Sequence, residues 1–318
     1  MATPYITPGL LIQEPSGISW NILPWPKSTQ PEQLAAQTLV CWQATGIVES
    51  YVNQVLRATV DTDEATGPDF RITVDPWTQV ARYTLQRWPV TSILAGQVSP
   101  AATFPPNWTQ IPAQKMGIET PVLGVYGSSS PSGAGDGSQA IRISPGCVGR
   151  KPRNGYLVSA TYLNGWPHTS LTADASEGDT TIQVDDVTGF GITNAQGFTG
   201  ASAFAYDGAE TETVTVESVT PNAMLTLPNG GGTVAAGPGT LQLAAPLANA
   251  HLAGVMVSSF PQNLLWAAAL AATVQALQSG IQAITIQNIP GSVTTGGQGV
   301  GALKAQYKEL LTPFKRVI

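Results

Sequence analysis

Charge is scarce in this chain. Lys, Arg, Asp and Glu supply only 11% of its 318 residues, well under the ~25% usual in globular proteins. Fourteen basic against 20 acidic residues give a formal charge of −6 and a pI near 4.9. Sequence-independent nucleic-acid binding needs several phosphate contacts from clustered Lys and Arg, so it is excluded as the main task. An acidic, sparsely charged surface would let passing DNA slide. Apolar residues at 42% exclude a disordered chain, and 33 Gly with 25 Pro point to many turns. Such a composition suits a subunit covered by its neighbours.

Cysteine and histidine are equally rare. Cys41 and Cys147 lie far apart with no CxxC spacing, which suggests no disulfide framework, zinc site or thiol catalysis. Cys41 reads as a small buried hydrophobe. His168 and His251 have no second ligand at metal-binding spacing. There is no GxSxG elbow, and the Gly/Ser-rich stretch from Gly124 to Ser138 lacks the Lys of a phosphate loop. Asp61, Asp63, Glu64 and Asp69 miss the EF-hand pattern and read as a solvated acidic turn. Asp185 and Asp186 are adjacent and would face opposite ways on a strand. The expectation is a protein that is not an enzyme and needs no cofactor or metal. Met1–Pro4 lacks a basic segment leading to an apolar core, so folding in a cytoplasm is expected.

Two helices stand out. Over 261–279, Trp266, Leu270, Val274 and Leu277 recur at helical spacing between small alanines. Pro261 suits a first turn, Ser258 and Ser259 offer N-cap oxygens, and Gly280 offers a C-cap. The apolar run is shorter than the ~20 residues a bilayer requires, and Thr273, Gln275 and Gln278 interrupt it. It reads as a soluble helix packed on the other long one, 31–57. There Val40, Cys41, Val48, Tyr51 and Val52 share a broad apolar face, with Glu32 in the first turn and a bend point at Gly46.

Elsewhere the pattern is short strands and punctuation. Residues 1–30 carry five prolines and two Trp and read as an extended arm, lying on its own domain or on a neighbour. Strands are expected at Phe70–Val74, Val80–Leu85, Val90–Val98, Ile141–Ile143 and Gly155–Leu163. The hairpin tip between the last two holds Arg150, Lys151 and Arg153, either solvated or touching an acidic partner or passing DNA. Residues 170–258 have almost no basic residue and alternate as in Glu212–Val219, giving an inserted all-β barrel or sandwich of about six strands. A Gly/Thr loop over 281–300, a short helix at Ala302–Leu311 and an extended tail at Pro313–Ile318 close the chain. The fold class expected is α+β: a helical core of 31–169 and 259–318 carrying the module 170–258.

Four segments resemble one family. They are Leu85-Gln86-Arg87-Trp88-Pro89-Val90-Thr91-Ser92-Ile93, Val158-Ser159-Ala160-Thr161-Tyr162-Leu163-Asn164-Gly165-Trp166-Pro167, Phe260-Pro261-Gln262-Asn263-Leu264-Leu265-Trp266-Ala267-Ala268-Ala269, and Glu309-Leu310-Leu311-Thr312-Pro313-Phe314-Lys315-Arg316-Val317. Together with the helix 31–57 they resemble the head–tail connector (adaptor) proteins of tailed bacteriophages. The β module is similar to modules of longer phage connectors. The similarity spans about half the chain, and its motifs are short and apolar.

The resemblance implies a virion protein of the phage neck, assembled in the host cytoplasm. It implies a dodecameric ring beneath the portal protein that extends the DNA channel and offers a platform to tail-side connector or terminator proteins. Helices form the ring body in that family, which assigns subunit packing to Trp266, Leu270, Val274, Leu277, Val48 and Tyr51. The tail Pro313, Phe314, Lys315, Arg316, Val317 and Ile318 would reach the portal, and its alternation suits strand addition. Arg150, Lys151 and Arg153 would face the channel or a partner. The alternative is another tail, baseplate or host-surface protein whose β domain binds a glycan. Exposed aromatics on loops would mark it, yet 170–258 contains no Trp.

Overall fold

The computed structural model describes residues 3–13, 20, 23, 29–66, 71–100, 105–118, 140–145, 147, 156–191, 201–228, 232–278 and 296–315. In chain order these form α1 (Pro8–Gln13), α2 (Gln30–Val52), β1 (Thr59–Thr66), β2 (Ile72–Val74), β3 (Ala81–Thr84), β4 (Val90–Pro100), β5 (Thr109–Gln110), β6 (Met116–Ile118) and β7 (Ala140–Ile143). Then come β8 (Tyr156–Asn164), β9 (His168–Ser170), β10 (Thr181–Val184), β11 (Ser202–Tyr206), β12 (Glu212–Pro221), β13 (Met224–Thr226), β14 (Thr233–Ala235), β15 (Gly239–Leu243) and β16 (Met256–Ser258). The chain ends with α3 (Gln262–Gln278) and α4 (Gly296–Leu311).

The architecture is mostly β-sheet, which corrects the expected helical connector core with two long helices. Four helices are described against sixteen strands in four sheets. Both long helices exist near their expected places, but they make one layer beside the sheets. The reason is strand length. Elements such as β5, β6 and β14 are two or three residues long, too short for alternation to register.

α2 starts where Glu32 accepts a 2.7 Å hydrogen bond from the Thr29 N–H. It runs unbroken through Gly46 and stops at Val52, short of 57, because Asn53 turns left-handed at φ 58° as its C-cap. α3 begins after Pro261, whose carbonyl accepts from Leu264 N–H at 2.9 Å. The expected capping serines face elsewhere: Ser259 Oγ donates to Pro167 O at 3.1 Å, and Ser258 Oγ meets His168 Nδ1 at 2.9 Å. α3 is buried on nearly all sides, with Leu264, Leu265, Ala267–Val274 and Ala276 inside. Its alanines let α2 and α4 approach.

The arm corrects a second expectation. It includes the helix α1, which tolerates Pro8 in its first turn. Tyr5, Ile6, Leu10, Leu11, Trp20 and Leu23 are buried in the same core as α2 and α3, so the arm wraps its own chain. Tyr5 is the pin. Its N–H donates to Thr45 Oγ1 at 2.9 Å, and its hydroxyl donates to Glu49 at 2.7 Å while accepting from Leu56 N–H at 2.6 Å.

β8 is the centre of the first sheet, ordered β1-β8-β4-β5, and the second is ordered β2-β3-β7-β6. They share one core around Ile72, Tyr83, Ile141, Val158 and Tyr162. Gly96 on β4 lies so close to Met116 that a Cβ there would collide with its sulfur. The six-stranded sheet runs β10-β15-β12-β11-β16-β9, with β13 and β14 as a separate hairpin. A bridge between Leu171 and Val184 draws its edges together into a half-barrel. Val187, Phe190, Val216 and Leu241 fill it. Its edge strand β9 starts before the expected boundary at 170, its neighbour β16 ends at 258, and Tyr206 and Met256 reach into the helical core.

Candidate interaction site

The four segments that carry the family resemblance meet in one aromatic junction. Trp88 precedes β4, Trp166 follows β8, Phe260 precedes α3, and Phe314 ends the 3-10 turn after α4. Trp88 stacks on Phe314 at 6.2 Å between centroids, and Trp166 meets Phe314 edge-on at 5.6 Å. Trp166 also meets Trp88 at 6.0 Å and Phe260 at 6.4 Å. Such pairs contribute about 0.5–1.5 kcal/mol each beyond area burial. Gly165 makes the approach possible: at φ 84° its missing Cβ leaves room for the Arg57 carbonyl.

Gln54 ties the junction together just past the end of α2. Its buried amide donates to Phe314 O at 3.1 Å and accepts from Trp88 N–H at 3.3 Å. At the rim, the Lys308 and Lys315 ammonium groups lie 5.9 and 5.4 Å from the Tyr51 ring centre. Two cations beside one aromatic ring make a locally basic surface.

These contacts relocate several expected residues. Phe314 is buried, Pro313 lies in the 3-10 turn, and Lys315 sits over Tyr51, so the tail is not free through these three residues. Arg316, Val317 and Ile318 lie outside the described residues. Leu270, Val274 and Val48 are buried in the chain's own core, with Trp266 and Tyr51 packed against it, while Leu277 is half-buried. The buried three are therefore unavailable for subunit packing. Arg150, Lys151 and Arg153 lie outside the described residues.

Three polar centres differ from the sequence reading or were missed by it. Asp61 and Asp63 are on β1, two apart and on one face, not in a solvated turn. Asp63 accepts from Gln86 N–H and from Tyr162 OH at 3.1 Å, with Arg71 3.9 Å away. Burial raises its pKa, against the lowering by these hydrogen bonds and the Arg71 charge. Asp61 takes Asn164 Nδ2 at 2.7 Å and pairs with Arg87 at 3.5 Å. The period-2 spacing Asp61-Thr62-Asp63 was the available signal.

His168 is buried between Ser258 Oγ at 2.9 Å and Pro4 O at 2.8 Å, stacked on Phe260 at 4.4 Å. Loss of solvation pushes its pKa down to about 4, so it is a neutral structural ring. His251 sits between two carboxylates, Asp207 at Nδ1 and Glu212 at Nε2, both 3.0 Å. Those oxygens face opposite edges of the ring and cannot converge on one ion. Burial opposes the charge of Glu212, but the Ala248 and Asn249 N–H groups and His251 hold its carboxyl below the usual range. Among the described residues no group of His, Cys, Asp or Glu is arranged to hold a metal ion. No described helix is long and apolar enough to cross a membrane, which says nothing of strands.

Comparison with known proteins returns no matching family model, curated protein or solved structure.

Proposed function

We propose that this chain is a structural virion protein, a head–tail connector that forms a ring beneath the portal, extends the DNA channel and offers the tail its platform. The observation that carries the reading is the aromatic junction. Four separate segments resembling connector sequences, at Trp88, Trp166, Phe260 and Phe314, pack on one another and form one unit. Lys315, the last described residue, stands at the basic rim of that unit. In this reading the portal contact belongs to Arg316, Val317 and Ile318, anchored by Phe314. The ring body is not a helical barrel. Co-assembly with portal, read by light scattering and negative-stain images, tests the reading. Rings bound to portal support it, and a chain that ignores portal overturns it.

One observation favours the alternative, a host-surface protein. Trp77 is 92% exposed at the tip of the β2–β3 turn. Asp75 locks that turn by accepting from Trp77 N–H at 2.7 Å and Thr78 N–H at 3.0 Å. A rigid exposed indole suits stacking on a sugar ring. Cell or glycan binding lost in Trp77→Ala would favour this reading, and binding that is absent in the native chain would remove it.

A further inference from the structure

The two signs of charge are segregated along the chain. No Lys or Arg occurs between Arg153 and Lys304, while nine Asp and Glu fall within 174–217. Three of them hold one segment, 247–253, through their carboxylates, and three more lie on the chain segments that pair with it. Asp174 accepts from Ala253 N–H at 2.8 Å, and Asp207 and Glu212 flank His251. Leu247 N–H donates to Asp179 O at 2.9 Å, and Leu247 O accepts from Gly178 N–H, next to Glu177. Glu210 O takes the Asn249 amide at 3.2 Å. Asp174, Glu177 and Glu210 are exposed.

The opposite sign gathers on the last helix. Lys304 and Lys308 are one turn apart on α4 and Lys315 follows the 3-10 turn, with Lys308 and Lys315 exposed over Tyr51. Residues 304–318 hold four of the 14 basic residues and a single acidic one, Glu309. No ion pair among the described residues joins these lysines to the half-barrel.

We propose that the acidic pole around 247–253 of one copy docks on the Lys304–Lys308–Lys315 face of the next copy. The occupant is a second copy because one chain carries both complementary surfaces, unpaired with each other. Two unlike patches joined head to tail make a heterologous contact, which closes into a ring when the rotation allows. Opposed potentials would steer the encounter and fix its register. The proposal names the subunit contact of the connector ring and so rests on that reading.

Charge exchange tests it. One variant carries Lys304→Glu with Lys308→Glu, and the other carries Glu177→Lys with Glu210→Lys, and none of the four side chains is buried. Particle mass is measured at low ionic strength and at about 1 M salt, where the Debye length shrinks to about 3 Å. The native chain should associate at low salt and dissociate at high salt. Each variant alone should be monomeric, and mixing the two should restore association, since every interface then pairs opposite signs. Restoration also shows that both variants are folded. A native chain that is monomeric at low salt overturns the contact, as does association that survives both charge reversals. Portal co-assembly separates the cases: rings that form on portal with either variant leave the connector reading standing without this contact.

Discussion

Gln54 and Phe314 stand 260 positions apart, yet the buried Gln54 amide donates to the Phe314 carbonyl at 3.1 Å. With its oxygen on Trp88 N–H, that one side chain joins the end of α2, the start of β4 and the chain's C-terminal turn. The segment through Phe314 is therefore part of the fold.

This fixes how the portal contact should be tested. Removing Pro313–Ile318 would strip Phe314 from the core and cost about 3–5 kcal/mol, the range for Phe truncation. Removing only 316–318 should leave thermal unfolding unchanged and abolish portal co-assembly. Undiminished co-assembly of the shorter deletion would show that the tail is not the contact.

Gln54→Ala should destabilise by about 1–3 kcal/mol, because it leaves a buried N–H and a buried carbonyl without partners. Urea unfolding would measure it. A midpoint equal to the native one would mean that water or another group satisfies both atoms.

His168 should make stability fall in mild acid. Its folded pKa, about 4, lies below the 6.5 of an unperturbed ring, so between these values the unfolded chain binds the proton and the native one does not. Stability is present in full above pH 6.5 and is lost as pH falls toward 4, by about 3 kcal/mol at most. Glu212, held low, adds to the loss as pH falls through its folded pKa. Asp63, held high, acts oppositely, since its contribution to stability is present in acid and lost as pH rises. His168→Gln should flatten the slope between pH 6.5 and 4, measured as unfolding midpoint against pH. An unchanged slope would assign the titration elsewhere.

Asp63→Ala should cost about 1–3 kcal/mol by leaving Gln86 N–H and Tyr162 OH short of an acceptor. Asp63→Asn, which keeps an acceptor oxygen, should cost less. Equal losses in the two variants, measured by denaturant midpoints, would argue that the charge toward Arg71 matters more than the hydrogen bonds.

Gly96→Ala should destabilise through contact with the Met116 sulfur, and Met116→Ala should recover part of the loss. A double-mutant cycle should show coupling, since touching residues are non-additive. Simple additivity would mean that β4 moves instead.

Long periodic segments were legible in the sequence. The helices near 31–57 and 261–279 and the strand Glu212–Val219 announced themselves because each spans several periods. The balance of the fold did not, since β5, β6 and β14 are only two or three residues long and carry no full period of alternation. Asp63 misled because an acidic residue is read as solvated unless its acceptors are satisfied, and its partners Gln86 and Tyr162 lie 23 and 99 positions away. The junction was half legible: its Trp and Phe stood out as motifs, while the Gln54 bridge carried no local mark.

The most direct measurement is the particle mass of the native chain at low salt, alone and mixed with portal, with negative-stain images of the same samples. The account expects rings with a central hole, alone or seated on portal. A chain that stays monomeric and ignores portal would contradict it.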